Sequence, residues 1–154
     1  MKMLLLLLAA GLLSGCGDGS ARWIGEARRA HAAADARLRE RDLAGAEGVL
    51  RGLVSRPVPE DVAAADGRAV LQDAYARLAR LALAQGKAEQ ALRDADAGLA
   101  LGEEPDVFAA ALRTIRGRAD EALGRDSEAA RDYEKAQSIA GTLLEQALGD
   151  GGGR

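Results

Sequence analysis

The chain has little of the residue types that carry most enzymatic and metal chemistry. Its 154 residues include one cysteine, Cys16, and one histidine, His31. A lone cysteine rules out an intrachain disulfide framework, so no covalent cross-link supports the fold. The usual zinc spacings are absent, with no C-x-x-C and no H-E-x-x-H. Nothing therefore points to a metal or a cofactor. Aromatic residues are limited to Trp23, Tyr75, Phe108 and Tyr133, and prolines to Pro57, Pro59 and Pro105. Ala, Leu, Arg, Glu and Asp dominate, a helix-forming composition. The formal charge is −3, and without a basic stripe a general nucleic-acid binder is disfavoured.

The one long apolar run lies at the start, from Leu4 to Leu13 after Lys2. About ten residues is half of what a transmembrane helix needs. A basic start, a short apolar run and small residues before a cut are the marks of an export signal. The run closes on Leu13-Ser14-Gly15-Cys16, which resembles the lipobox of bacterial lipoprotein signal peptides. The resemblance implies that residues 1–15 are removed and that Cys16 becomes the acylated first residue. Lipoproteins of this kind carry three acyl chains there, firm anchoring where a single chain is marginal. A plain secretory signal with a chance cysteine is the alternative. Gly17, not Asp, follows the cysteine, and by the sorting rule of Gram-negative lipoproteins this implies the periplasmic side of the outer membrane in preference to the inner. Without the leader, 139 residues with 20 basic and 24 acidic side chains remain, enough for one domain. Residues 16–21 read as the lipidated cysteine and a tether reaching at most about 17 Å. Residues 22–56 carry a balance of +3 and residues 57–154 one of −6, so the basic part faces anionic head groups.

The rest reads as helices in pairs. Ser20 suits the N-cap of a helix over 21–40, and a second runs over 43–54 before Arg56-Pro57-Val58-Pro59. Leu71, Tyr75, Leu78 and Ala82 line one face of a helix surest over 69–85. Asp73 and Arg77 are four apart on another face and pair. Residues 88–101 follow, with Gly86 and Gly102 as stops. Pro105 suits the first turn of a helix reaching Leu123. A partner helix over 127–140 ends at Gly141, and Thr142 with Glu145 reads as a capping box for a short helix over 143–148. The Gly-rich end, 149–154, is expected to be a disordered tail.

The pairs share a spacing. Ala79, Gly86 and Ala91 are separated by seven and five residues, as are Gly117, Gly124 and Ala129. These positions resemble the tetratricopeptide repeat (TPR), with a small residue at the helix crossing, a turn glycine and a second small residue. Tyr75, Leu78, Gly98 and Leu99 extend the match, as do Tyr133 and Ala136. Ala34, Arg41 and Ala46 keep the spacing in the first pair, with arginine in place of the turn glycine. Arg113, Arg116 and Asp120 depart from it where apolar or aromatic residues are usual. The starts are 45 and 38 residues apart against a family period of about 34, so both connections carry insertions. The implied fold is all-α: an antiparallel helix-hairpin (TPR-like) solenoid of about three repeats over residues 22–148, the helix over 143–148 capping it. An irregular helical bundle is the alternative, and glycines and prolines disfavour a long coiled coil.

Catalysis has little support: no nucleophile motif lies near His31. A cluster of His31 with two carboxylates in a cleft would favour an enzyme. The Asp94–Asp96, Glu103–Glu104 and Asp120–Glu121 groups read as helix-surface charge. Trp23 either packs on the first pair or rests at the membrane interface. In TPR proteins the first helices of each pair line a concave face that receives peptides. The resemblance places Arg28, His31, Asp35, Leu38 and Arg39 there, then Asp73, Arg80 and Leu83, then Arg118 and Glu121. Arg80 and Arg118 are equivalent, and an arginine fork holds a carboxylate, so an acidic or C-terminal segment of a protein partner is the expected ligand. The expected role is a non-enzymatic, membrane-anchored adaptor for an envelope assembly or export system: pilus, outer-membrane protein or polysaccharide. The rivals are a module binding a small ligand or cell-wall fragment, which needs a deep pocket, and a self-associating subunit, which needs an apolar patch. Oligomeric state is not legible.

Overall fold

The structure, a computed structural model, describes residues 18–102 and 104–151. The expected leader and lipobox, Cys16 included, lie outside the described residues, as do residues 152–154. Six helices follow one another: α1 (Asp18–Arg39), α2 (Leu43–Val54), α3 (Ala64–Ala84), α4 (Ala88–Leu99), α5 (Val107–Ala122) and α6 (Asp126–Gly151). Among the described residues there is no strand, and no helix is long and apolar enough to cross a membrane.

Each helix packs on the next, and α3 also packs on α5. α1–α2, α3–α4 and α5–α6 are hairpins with three-residue turns. Each turn hinges on a residue in the left-handed region: Arg41 at φ 60°, Gly86 at 71° and Gly124 at 72°. Arg41 thus takes the conformation of the two glycines despite its side chain. The small residues at the shared spacing sit where the helices cross. Ala34, Ala46, Ala79 and Ala91 are all fully buried, and Ala129 nearly so. In the third hairpin the helices approach over Gly117, where a Cβ would stand 2.7 Å from Tyr133 Cε1.

The core runs through the stack in three clusters. α1, α2 and α3 enclose Leu50, Leu53, Leu78 and Leu81 among alanines. α3, α4 and α5 enclose Leu99, Leu112 and Ile115 in the same way. Leu50, Leu78 and Leu112 are fully buried, each contributing roughly 1.5–3 kcal/mol by transfer from water. Trp23 packs with Val62 and Leu71, so of its two expected places it takes the protein interior.

Four expectations fail at helix ends. α1 begins at Asp18, so Ser20 lies within it and is not its N-cap. Its first turn is satisfied from a distance: the Ser20 backbone N–H donates to Asp61 Oδ2 at 2.8 Å. Pro105 precedes the helix, and Asp106 is the N-cap of α5, accepting from the Phe108 and Ala109 backbone N–H at 2.9 and 2.8 Å. No break occurs at Gly141 and no separate capping helix covers the stack: α6 runs on through residues 143–148 and ends at Gly151. Thr142 does not cap a helix; its Oγ1 donates to the Ser138 carbonyl one turn back, at 3.2 Å. Helix propensity carries the chain across an exposed glycine that has no tertiary contact to oppose it.

Candidate functional site

The helical period sets His31 and Asp35 one turn apart on α1, and Asp73 and Arg77 one turn apart on α3. Packing brings the four together. Arg77 Nε donates to Asp73 Oδ2 at 2.9 Å and its Nη1 donates to Asp35 Oδ1 at 2.7 Å. His31 Nδ1 lies 3.4 Å from Asp73 Oδ2, an electrostatic neighbour without hydrogen-bond geometry. Burial pushes the His31 pKa below its ordinary 6.5, and Arg77 adds to this against the opposing pull of Asp73 and Asp35. The ring is therefore neutral at neutral pH, and Arg77 bridges both carboxylates while offsetting one of their two charges.

Next to this cluster an apolar slot of about 280 Å³ opens between α1, α2 and α3. Ala34, Leu38, Leu50 and Leu81 form its walls, with Arg77 and Arg80 at the rim. Leu38 is 37% exposed. Arg80 is exposed and has no ion-pair or hydrogen-bond partner among the described residues. A buried leucine wall beside an unpaired guanidinium suits a ligand that joins an apolar group to an anion.

The expected groove residues separate into two sets. His31, Asp35, Leu38, Asp73 and Arg80 converge on the α1–α3 face. Arg28 and Arg39 are exposed on the same helix α1. Leu83 is half-buried against the α3–α4–α5 core and does not line the slot, contrary to expectation. Arg118 and Glu121 lie on the third hairpin, where Glu121 accepts from Tyr133 Oη at 2.5 Å. Desolvation and that carboxylate raise the phenol pKa to about 12. No described hydrogen bond or ion pair links Arg118 or Glu121 to the first two hairpins. Arg77 was expected only as the i+4 partner of Asp73; its second bond, to α1, makes it the central group of the cluster.

The second helices are joined by charge that the sequence did not place inside. Asp94 is buried and receives both Nη atoms of Arg51 as a fork from α2, the Nη2–Oδ2 distance being 2.6 Å. Asp132 is likewise buried, between Arg113 Nη1 at 3.3 Å and Arg116, whose Nε and Nη2 donate at 2.7 and 2.6 Å. Arg116 Nη1 also reaches Asp96 at 2.8 Å. Asp120 is buried with Arg125 at 3.5 Å, and desolvation raises its carboxyl pKa. Asp94 and Asp120 are therefore not helix-surface charge. Arg113 and Arg116 occupy apolar positions of the pattern because an acid from the next helix meets them. A larger groove of about 610 Å³ lies on the outer side of the first hairpin, where Glu26 and Arg56 pair at 3.1 Å among Ala30, Ala33, Gly48 and Gly52.

No protein-family model matches the chain, and no curated protein sequence matches it.

Proposed function

We propose that this chain is a lipid-anchored, TPR-like adaptor that holds a protein partner on the face built by the first helices of its hairpins. The TPR-like register draws support from the three left-handed turn residues and the buried small residues that flank them. The observation that carries the functional part is the apolar slot beside Arg80. An exposed leucine and an unpaired arginine on rigid helices suit a peptide with an apolar side chain next to a carboxylate. The ion-paired cluster of Asp35, Asp73 and Arg77 would hold the floor of that face in place. His31 lies with Asp35 and Asp73, but none of the three lines the slot and Arg77 holds both carboxylates, so no chemical step is assigned to them. Anchoring rests on the Leu13–Cys16 lipobox resemblance, Gly17 after the cysteine favours the outer membrane facing the periplasm, and the partner would belong to an envelope assembly or export system.

A crosslinked pull-down of the full chain from cells tests this reading. Arg80→Glu with Arg118→Glu should abolish capture of the partner without changing the helical content, and unchanged capture refutes the groove. In the same cells Cys16→Ser should release the protein from the membrane fraction; retention refutes the lipid anchor. The second reading, a small-ligand or cell-wall-fragment module, draws on the 610 Å³ groove of the first hairpin, whose size is that of ligand pockets. Equilibrium binding of soluble cell-wall fragments, lost on Gly52→Trp, separates it from the adaptor.

A further inference from the structure

We propose that two copies of this chain pair about a two-fold axis at the last hairpin, each laying Leu144 and Leu148 of α6 into the α5–α6 groove of the other. Helix length is the first argument. α5 has 16 residues and α6 has 26, so α6 runs about 15 Å beyond the helix it packs on. That overhang continues the apolar stripe of the α5–α6 interface. Ala136 is buried, and Ala140, Leu143, Leu144, Ala147 and Leu148 follow at helical spacing. Leu144 and Leu148 are 61% and 69% exposed, and Val107 at the same end of α5 is 62% exposed. A ten-residue overhang has little helical stability without something to pack on.

The groove is the second argument. Ala110, Ala111 and Thr114 of α5 and Tyr133, Ala136 and Ala140 of α6 line a cavity of about 380 Å³. The corresponding grooves of the first two hairpins are both filled by a helix from this chain: α3 inserts Leu78 and Leu81, and α5 inserts Leu112 and Ile115. Among the described residues no helix follows α6 to cover the third. Small side chains forming a groove, and leucines one turn apart on the helix beside it, are the two halves of the contact already used twice in the stack.

A second copy is the occupant that uses both halves at once. In a two-fold contact each chain supplies groove and leucines, so both patches are covered on both chains. Charge permits it: residues 139–149 contain a single ionisable side chain, Glu145, and the groove-lining side chains are uncharged. Like charges therefore do not oppose the approach.

The test uses two differently tagged full-length chains in detergent, both carrying Cys16→Ser, one with Thr114→Cys and one with Leu148→Cys. Within one chain these positions are too far apart to be bridged, about 16 Å along α6. A short bis-maleimide should give a mixed-tag adduct, and light scattering should give twice the 16.0 kDa chain mass. Adding Leu144→Glu to both chains should remove the adduct and return the single-chain mass, with the helical signal unchanged. A single-chain mass for the parent protein overturns the proposal. So does an adduct that survives Leu144→Glu, coupling of Leu148→Cys to Gly48→Cys in its place (head-to-tail stacking), or vesicle binding through Leu144 by a chain that stays single.

Discussion

Tyr133 lies directly on Gly117, its ring so close that a Cβ at residue 117 would come within 2.7 Å of Cε1. The ring edge is rigid and its hydroxyl is tied to Glu121, so the neighbour has little room to yield. Gly117→Ala should destabilise by about 1–3 kcal/mol, the usual cost of overpacking. A denaturant titration reads it as a lower midpoint. An unchanged midpoint would mean that α5 and α6 do not approach here.

Gly141 gives the opposite expectation. It lies inside α6, exposed and with nothing near a Cβ. Gly141→Ala should stabilise by about 0.5–1 kcal/mol. A helix that stopped at this residue would instead lose stability, so thermal melts of this variant decide between one helix and two.

Arg41 holds φ at 60° where the other hairpins have glycine. The left-handed region costs a non-glycine residue about 1–2 kcal/mol, partly offset by the greater freedom glycine loses on folding. Arg41→Gly should raise stability by about 0.5–1 kcal/mol. Loss of stability would mean that the Arg41 side chain contributes more than its backbone costs.

Asp132 balances Arg113 and Arg116 in the interior of the third hairpin. Asp132→Ala takes away the acid that Arg113 and Arg116 share, while Arg116 keeps Asp96, and should cost about 1–3 kcal/mol. Chemical denaturation measures it, and a loss below 1 kcal/mol would show the arginines turning to solvent.

His31 makes stability depend on pH. Folding lowers its pKa below 6.5, so in that window the unfolded chain binds more protons than the folded one, and stability rises with pH. The contribution is complete above the ordinary value and is lost as pH falls toward the lowered one. The denaturation midpoint should therefore be lower near pH 5.5 than near pH 7.5, and His31→Gln should shrink that difference. An identical difference in the variant removes His31 as its cause.

Helix positions were largely legible because they follow from local signals. The α2 boundaries, the inward faces of α3 and α4, and the turns at Gly86 and Gly124 come from periodicity and turn chemistry within a few residues. The misreading at Gly141 has a local cause too: a glycine followed by a threonine and a glutamate resembles a helix boundary, and only the lack of any opposing tertiary contact lets α6 continue. Of the site, the TPR resemblance implied His31, Asp73 and Arg80 on one face, but gave Arg77 no role across helices.

Sequence alone determined an all-helical chain of small-residue crossings, an apolar run that closes at Cys16, and the absence of metal-ligand spacing. Those properties depend on residue type and on neighbours less than two turns away. Tertiary structure decided which charges are interior: Asp94 meets Arg51 from 43 residues away and Asp132 meets Arg116 from 16. It also decided that Asp61 closes the start of α1 from 41 residues away. A charge is tolerated inside only if an opposite charge reaches it, and Coulomb attraction depends on separation in space, which the order of residues along the chain does not contain.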